Sequence, residues 1–205
     1  DSVVPADLKF DVIYGSHTLE HQVDMIGHLQ SLERLLKPGG RVILMIPYLR
    51  TCFDALRYPT VTADALAAHQ RKGQIHQGRQ VFDSVSREID KNQGYRMCNA
   101  DLDDVRFRHD LKTARDAMTV AEVAGQRYVD LHAWTFTPES FRLLLVELRL
   151  LELPHLEPHL VSDTYGNQFC AVLQPVPGAA VQLSPLTRGG LERERLALSK
   201  ALRMR

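Results

Sequence analysis

From Phe10 to Tyr14 the chain reads Phe-Asp-Val-Ile-Tyr, a short run rich in strand formers that stops at Gly15. Apolar residues then recur at helical spacing, at Ile26, Leu29, Leu32, Leu35 and Leu36, behind Asp24 as a candidate N-cap. Lys37-Pro38-Gly39-Gly40 blocks continuation of that helix. Arg41 to Ile46 is a second continuous apolar run, closed by Pro47. Strands buried on both faces read this way, so the pattern predicts a βαβ unit with parallel strands.

After Tyr48 the pattern changes. Residues 48–131 are polar, rich in arginine and histidine, and helical in pieces. Val81, Val85 and Ile89 share one helical face, Leu111, Ala114, Met118 and Ala121 another, and Gly73, Gly94 and Gly125 stand where helices should stop. This is too long for a simple crossover. It reads as a helical insertion over the strand ends, a lid that excludes water, with a plain surface helical pair as the alternative. Thr137-Pro138-Glu139 then opens a helix with apolar face Phe141, Leu144, Leu145 and Leu148. Leu151 to Leu160, broken by Pro154 and Pro158, and Gln168 to Leu173 read as strands joined through Tyr165-Gly166-Asn167. The chain thus divides into a strand-helix-strand core at 1–47, the insertion at 48–131, a second core segment at 132–175, and a linker with a charged tail at 176–205.

Composition narrows the field. The 205 residues are 44% hydrophobic and 24% charged, which suits a core-forming chain. Lysine plus arginine equals aspartate plus glutamate, 25 each, so no global field favours nucleic acid or an anionic membrane as partner. No apolar run approaches the roughly 20 residues that span a bilayer. Cys52, Cys98 and Cys170 are odd in number and lack metal or disulfide spacing. Reduced thiols and a cytoplasmic location are therefore expected.

In open parallel sheets, ligands bind beyond the carboxyl ends of the strands. Ser16-His17-Thr18-Leu19-Glu20-His21 lies at such an end. His132 and Trp134 precede the Thr-Pro-Glu helix, and His132 is a candidate base near neutral pH, with a buried tryptophan and a structural histidine as the plainer alternative. Tyr48, Arg50 and Arg57 follow the second apolar run and read as acceptor contacts or solvated loop positions. His69, His76, His109, His155 and His159 show no ligand spacing.

Three blocks carry a resemblance: Phe10 to Val23, Leu36 to Pro47, and Trp134-Thr-Phe-Thr-Pro-Glu-Ser-Phe141. Together they resemble the second half of the class I S-adenosylmethionine-dependent methyltransferases. The resemblance implies an α/β, Rossmann-like methyltransferase sheet, its parallel strands joined by one antiparallel strand. It implies S-adenosyl-L-methionine as cofactor and Ser16, His17 and Leu19 as its contacts. It further implies His132 as the catalytic base and Tyr48, Arg50 and Trp134 on the acceptor side. Glu20 and His21 are left open between site and scaffold. The family's glycine-rich turn has no counterpart, since no GxGxxG occurs. A truncated half is therefore expected, joined to further domains of a longer chain and acting on a small-molecule or glycan-like acceptor.

Two rival readings remain. One is a non-catalytic methyltransferase-like module kept for interaction. The other is a metal hydrolase, because His17-Thr-Leu-Glu-His21 is a literal H-x-x-E-H with two imidazoles and a carboxylate. That motif needs a helix, whereas here a β-run ends just before it. Some methyltransferases bind a divalent ion through E-x-x-E-H at this place, but His17 stands where they have glutamate. No metal is expected on this reading.

Overall fold

The computed structural model describes residues 4, 5, 7–91, 102, 105–123, 128–176 and 183–203. A four-stranded sheet has the order β1-β2-β6-β5, with β1 at Phe10–Ser16, β2 at Leu36–Pro47, β5 at Leu156–Tyr165 and β6 at Gln168–Pro175. β1 and β2 pair in parallel, while β6 runs antiparallel to both β2 and β5. Three strands therefore share one direction and one is reversed, the α/β arrangement expected.

Helix α1, Met25–Leu35, makes the crossover between β1 and β2, and Asp24 caps it by accepting from the Gly27 amide at 2.8 Å. Strand β2 starts at Leu36, earlier than the apolar run suggests, and the register shifts between Phe10 and Val12. Gly39 has φ +77, and a Cβ on Gly40 would lie 2.9 Å from the Phe10 carbonyl oxygen. The Pro-Gly-Gly segment thus stays extended because glycine lets the β1 backbone come close. Pro158 sits in β5, an edge strand, where its missing N–H costs no ladder bond to a second neighbour.

The insertion is helical with one addition. α2 (Thr62–Arg71), α3 (Gly78–Arg87) and α4 (Leu111–Glu122) are joined by a two-stranded ribbon of β3 (Ile89–Lys91) and β4 (Val105–Phe107). Ile89 therefore belongs to a strand, not to the face of α3. Ala114 and Ala121 of α4 are buried, but Leu111 and Met118 are 67% and 37% exposed, so the apolar face is narrower than its spacing suggests. Lys72, at φ +50, takes the left-handed position after α2 next to Gly73. Gly94 and Gly125 lie outside the described residues.

α5, Pro138–Leu150, opens with a reciprocal cap in which Thr137 accepts from the Ser140 amide and Ser140 from the Thr137 amide. Its residues Phe141, Leu144, Leu145 and Leu148 join Leu29, Val42, Leu44, Ile46, Phe169 and Ala171 in the core. α6, Pro185–Arg203, buries no residue and rests on α5 through Arg195 and Glu147, 2.9 Å apart.

Candidate functional site

β1 delivers the chain to Ser16, which is exposed at the strand end, and His17 turns it aside at φ +51. A side chain bearing Cβ pays for that conformation, and such strain gathers at functional sites. The His17 amide still donates to the Met45 carbonyl at 3.0 Å, so the turn is anchored to β2. A single 3₁₀ turn, Leu19–His21, follows. His17, Glu20 and His21 therefore do not lie on one α-helix, which removes the geometry that an H-x-x-E-H hydrolase requires.

The turn drives Glu20 inward. Its residue surface is 1% exposed, and among the described residues neither carboxylate oxygen has a hydrogen-bond partner of ordinary geometry. Three imidazole nitrogens surround Oε1 instead: His21 Nε2 at 3.6 Å, His17 Nδ1 at 3.8 Å and His132 Nε2 at 3.9 Å. Burial raises the Glu20 pKa, while its own backbone amide and the three histidines pull the other way without winning.

His132 arrives from the segment before α5, positioned where the Ala133 amide donates to the Glu20 carbonyl at 2.8 Å. Its Nδ1 lies 2.6 Å from Asp54 Oδ2, and its ring packs against Phe53. Arg57 donates to Asp54 at 2.8 Å, to Asp83 at 2.9 Å and to the His132 carbonyl at 2.6 Å. Burial pushes the Asp54 carboxyl up, but the His132 hydrogen bond and the Arg57 guanidinium outweigh it and hold it below its usual value. Asp54 is thus an ionised acceptor. It accepts the hydrogen bond of the His132 Nδ1–H, which turns Nε2 toward Glu20 and His21.

Of the residues expected at the site, His17 and His132 meet at Glu20. Leu19 is 1% exposed and packs in the core beside them. Trp134 is 2% exposed and spends its indole N–H on the Gln22 carbonyl at 2.5 Å, the buried tryptophan of the plainer alternative. Arg50 lines a cleft of about 1190 Å³ between the 55–66 segment, α5 and α6. Its lining includes Arg57 but not Ser16, Glu20 or His132. Tyr48 is half-buried and pairs by backbone with Phe136. Asp54 was not legible as a site residue, and Arg57, read as an acceptor contact or a solvated loop position, is instead 6% exposed and donates to Asp54. Their only sequence signal is a polar pair three residues apart, which loops show routinely.

A parallel sheet with a reversed strand, and a polar cluster at the carboxyl end of β1, define an α/β protein of the methyltransferase type. A protein-family profile described as a methyltransferase domain matches residues 1–145, so the chain belongs to the methyltransferase-domain family. No curated protein and no solved structure matches it. No helix among the described residues is long and apolar enough to cross a membrane.

Proposed function

We propose that the chain contributes the second half of an S-adenosyl-L-methionine-dependent methyltransferase acting on a small-molecule or glycan-like acceptor. The observation that carries this reading is the placement of His17, Glu20, His21 and His132 together at the carboxyl end of β1, inside a methyltransferase-family sheet. S-adenosylmethionine supplies an electrophilic methyl group on a sulfonium. Ser16 is exposed at the strand end and suits the flank of that cofactor, with His17 beside it. His132 acts on the acceptor through Nε2, held in its tautomer by Asp54. Among the described residues β1 pairs with β2 alone, and its outer edge, with Val12 and Tyr14 54% and 63% exposed, supports a half-fold completed by further strands. The same edge also favours the second reading, a non-catalytic module that pairs with a partner.

Kinetics on the enzyme with its glycine-rich half present separate these readings. Ser16→Leu should weaken cofactor binding with the fold intact. His132→Ala should lower turnover with little change in cofactor affinity, because an interaction made only in the transition state appears in kcat. If both variants stay within about twofold of the parent, below roughly 0.4 kcal/mol, the site is misplaced. The isolated chain should bind S-adenosylmethionine weakly or not at all by calorimetry, and micromolar binding would overturn the half-site part of the proposal.

A further inference from the structure

α6 meets α5 through charge more than through apolar contact. Leu191, Arg195, Leu198 and Leu202 recur at intervals of four, three and four, which places them on one helical face. Arg195 fixes that face toward α5, with Nε 2.9 Å from Glu147. Yet Leu191, Leu198 and Leu202 are only half-buried, and so are Leu143 and Leu150 on the outer face of α5. Arg195 with Glu147 and Arg188 with Glu152 tie the two helices, while their leucine stripes stay partly in solvent. Beside them lies the cleft of about 1190 Å³, whose walls include Leu143, Leu150 and Leu202, with Pro59 and Val61 from the segment entering α2. Tyr58, Val61 and Leu151 of its lining are 73%, 55% and 49% exposed. Ligand sites are concave, mostly apolar and about 300–1,000 Å³ in volume, and an exposed apolar patch edged by charge marks a binding surface.

We propose that this cleft binds an amphiphile with one apolar chain and an acidic head, of the class of a fatty carboxylate. The charge of the lining selects the head. Four arginines, Arg50, Arg57, Arg188 and Arg195, stand there against two carboxylates, Glu147 and Glu192. Arg195 engages both of those carboxylates, at 2.9 and 3.6 Å, and the Thr62 hydroxyl also donates to Glu147. The lining is therefore net positive, and both of its acids already have a partner. Arg57 is turned inward to Asp54 and Asp83, so it contributes field more than contact. Arg188 is the residue placed to meet the head: its side chain is 49% exposed, and its partner Glu152, 3.4 Å away, is exposed as well, a pair worth little in water. An arginine fork takes a carboxylate through two parallel hydrogen bonds. The apolar chain then covers the leucine stripes of α5 and α6, and its removal from water supplies the affinity. This site does not rest on the methyl-transfer reading, because neither Ser16, Glu20 nor His132 lines the cleft.

The test is calorimetric titration of the chain with straight-chain carboxylates from octanoate to tetradecanoate, below micelle-forming concentrations. One equivalent should bind, with affinity rising about fourfold per added methylene and levelling off once the cleft is filled. Dodecyltrimethylammonium, which carries a cationic head on a chain of the same kind, should bind at least about tenfold more weakly than dodecanoate. Arg188→Glu should weaken dodecanoate by about 3–10-fold and narrow that gap. Ala63→Phe, at an exposed position of the lining, and Leu150→Trp, at a half-buried one, should shorten the chain at which affinity levels off. Circular dichroism checks the fold of each variant, and either cleft variant suffices should the other misfold. Three results overturn the proposal: no saturable binding, equal affinity for the two heads, or a levelling-off that both cleft variants leave unchanged. Cleft variants that instead dissociate self-associated chains in sedimentation velocity would assign the cleft to a second copy, and that too overturns it. All are distinct from a failure of methyl transfer, which leaves this titration untouched.

Discussion

Glu20 and Asp54 are both buried carboxylates, and their surroundings push them in opposite directions. Asp54 has Arg57 and His132 as partners and is held low, whereas Glu20 has only distant imidazoles and is raised. Breaking a buried pair by deleting one partner typically costs about 3–5 kcal/mol, so Arg57→Met should destabilise the protein by an amount of that order. Denaturant titration checks this, and a loss under about 1 kcal/mol would show the pair to be solvated. His76 makes a second prediction. It is 2% exposed with both ring nitrogens unpartnered among the described residues, and burial, helped by nearby His21, lowers its pKa from 6.5 to about 4. The unfolded state binds more protons in that window, so the His76 contribution to stability is full above about pH 6.5 and is lost as pH falls toward 4. His28, also lowered by burial, acts in the same direction, while the raised Glu20 opposes them. Melting temperatures across this range should fall with pH, and His76→Leu should flatten the slope. An unchanged slope would place the pH dependence elsewhere.

Among the elements, those with strong periodicity matched their sequence patterns. α1 and α5 carry apolar stripes behind good caps, so local preference and tertiary burial agree there, whereas β1, read as buried on both faces, lies at the sheet edge with Val12 and Tyr14 exposed. Thr137 anchors α5 with both halves of its cap buried, and Thr137→Ala should cost about 1 kcal/mol, measurable by thermal or chemical unfolding. A neutral result would mean that the Ser140 side chain suffices. The insertion was less legible. Val81 is buried as its stripe suggests, but Ile89 was assigned to the same helix and instead pairs with Phe107 in the ribbon. A strand of three residues has too few positions for a period of two to show. Leu111 and Met118 match a helical stripe and yet face solvent, because among the described residues α4 packs mainly against α3, through its small alanines Ala114 and Ala121. For the site, His17 and His132 were readable as polar residues at predicted element ends. Leu19 is buried where Ser16 is exposed, because the 3₁₀ turn after the strand end directs it inward.

At the scale of the whole molecule, the sheet is closed at β5 by an edge strand with register shifts and Pro158, but open at β1. An unpaired edge bearing Val12 and Tyr14 invites pairing with another chain. The isolated chain should therefore self-associate, and Val12→Lys should reduce this in sedimentation velocity. A monodisperse monomer at high concentration would show the edge to be protected. The sequence by itself determined what depends on neighbours a few residues apart: the βαβ unit, the capped helices, the reversed final strand by resemblance, and the methyltransferase family. Hydrophobic periodicity and capping are local, so they survive in a one-dimensional reading. Only the tertiary structure decided the composition of the site. Glu20, Asp54 and His132 are separated by 34 and 78 residues, and no spacing rule links them. They meet because β1, the segment after β2 and the approach to α5 end in one place, and burial there raises the pKa of an ordinary glutamate.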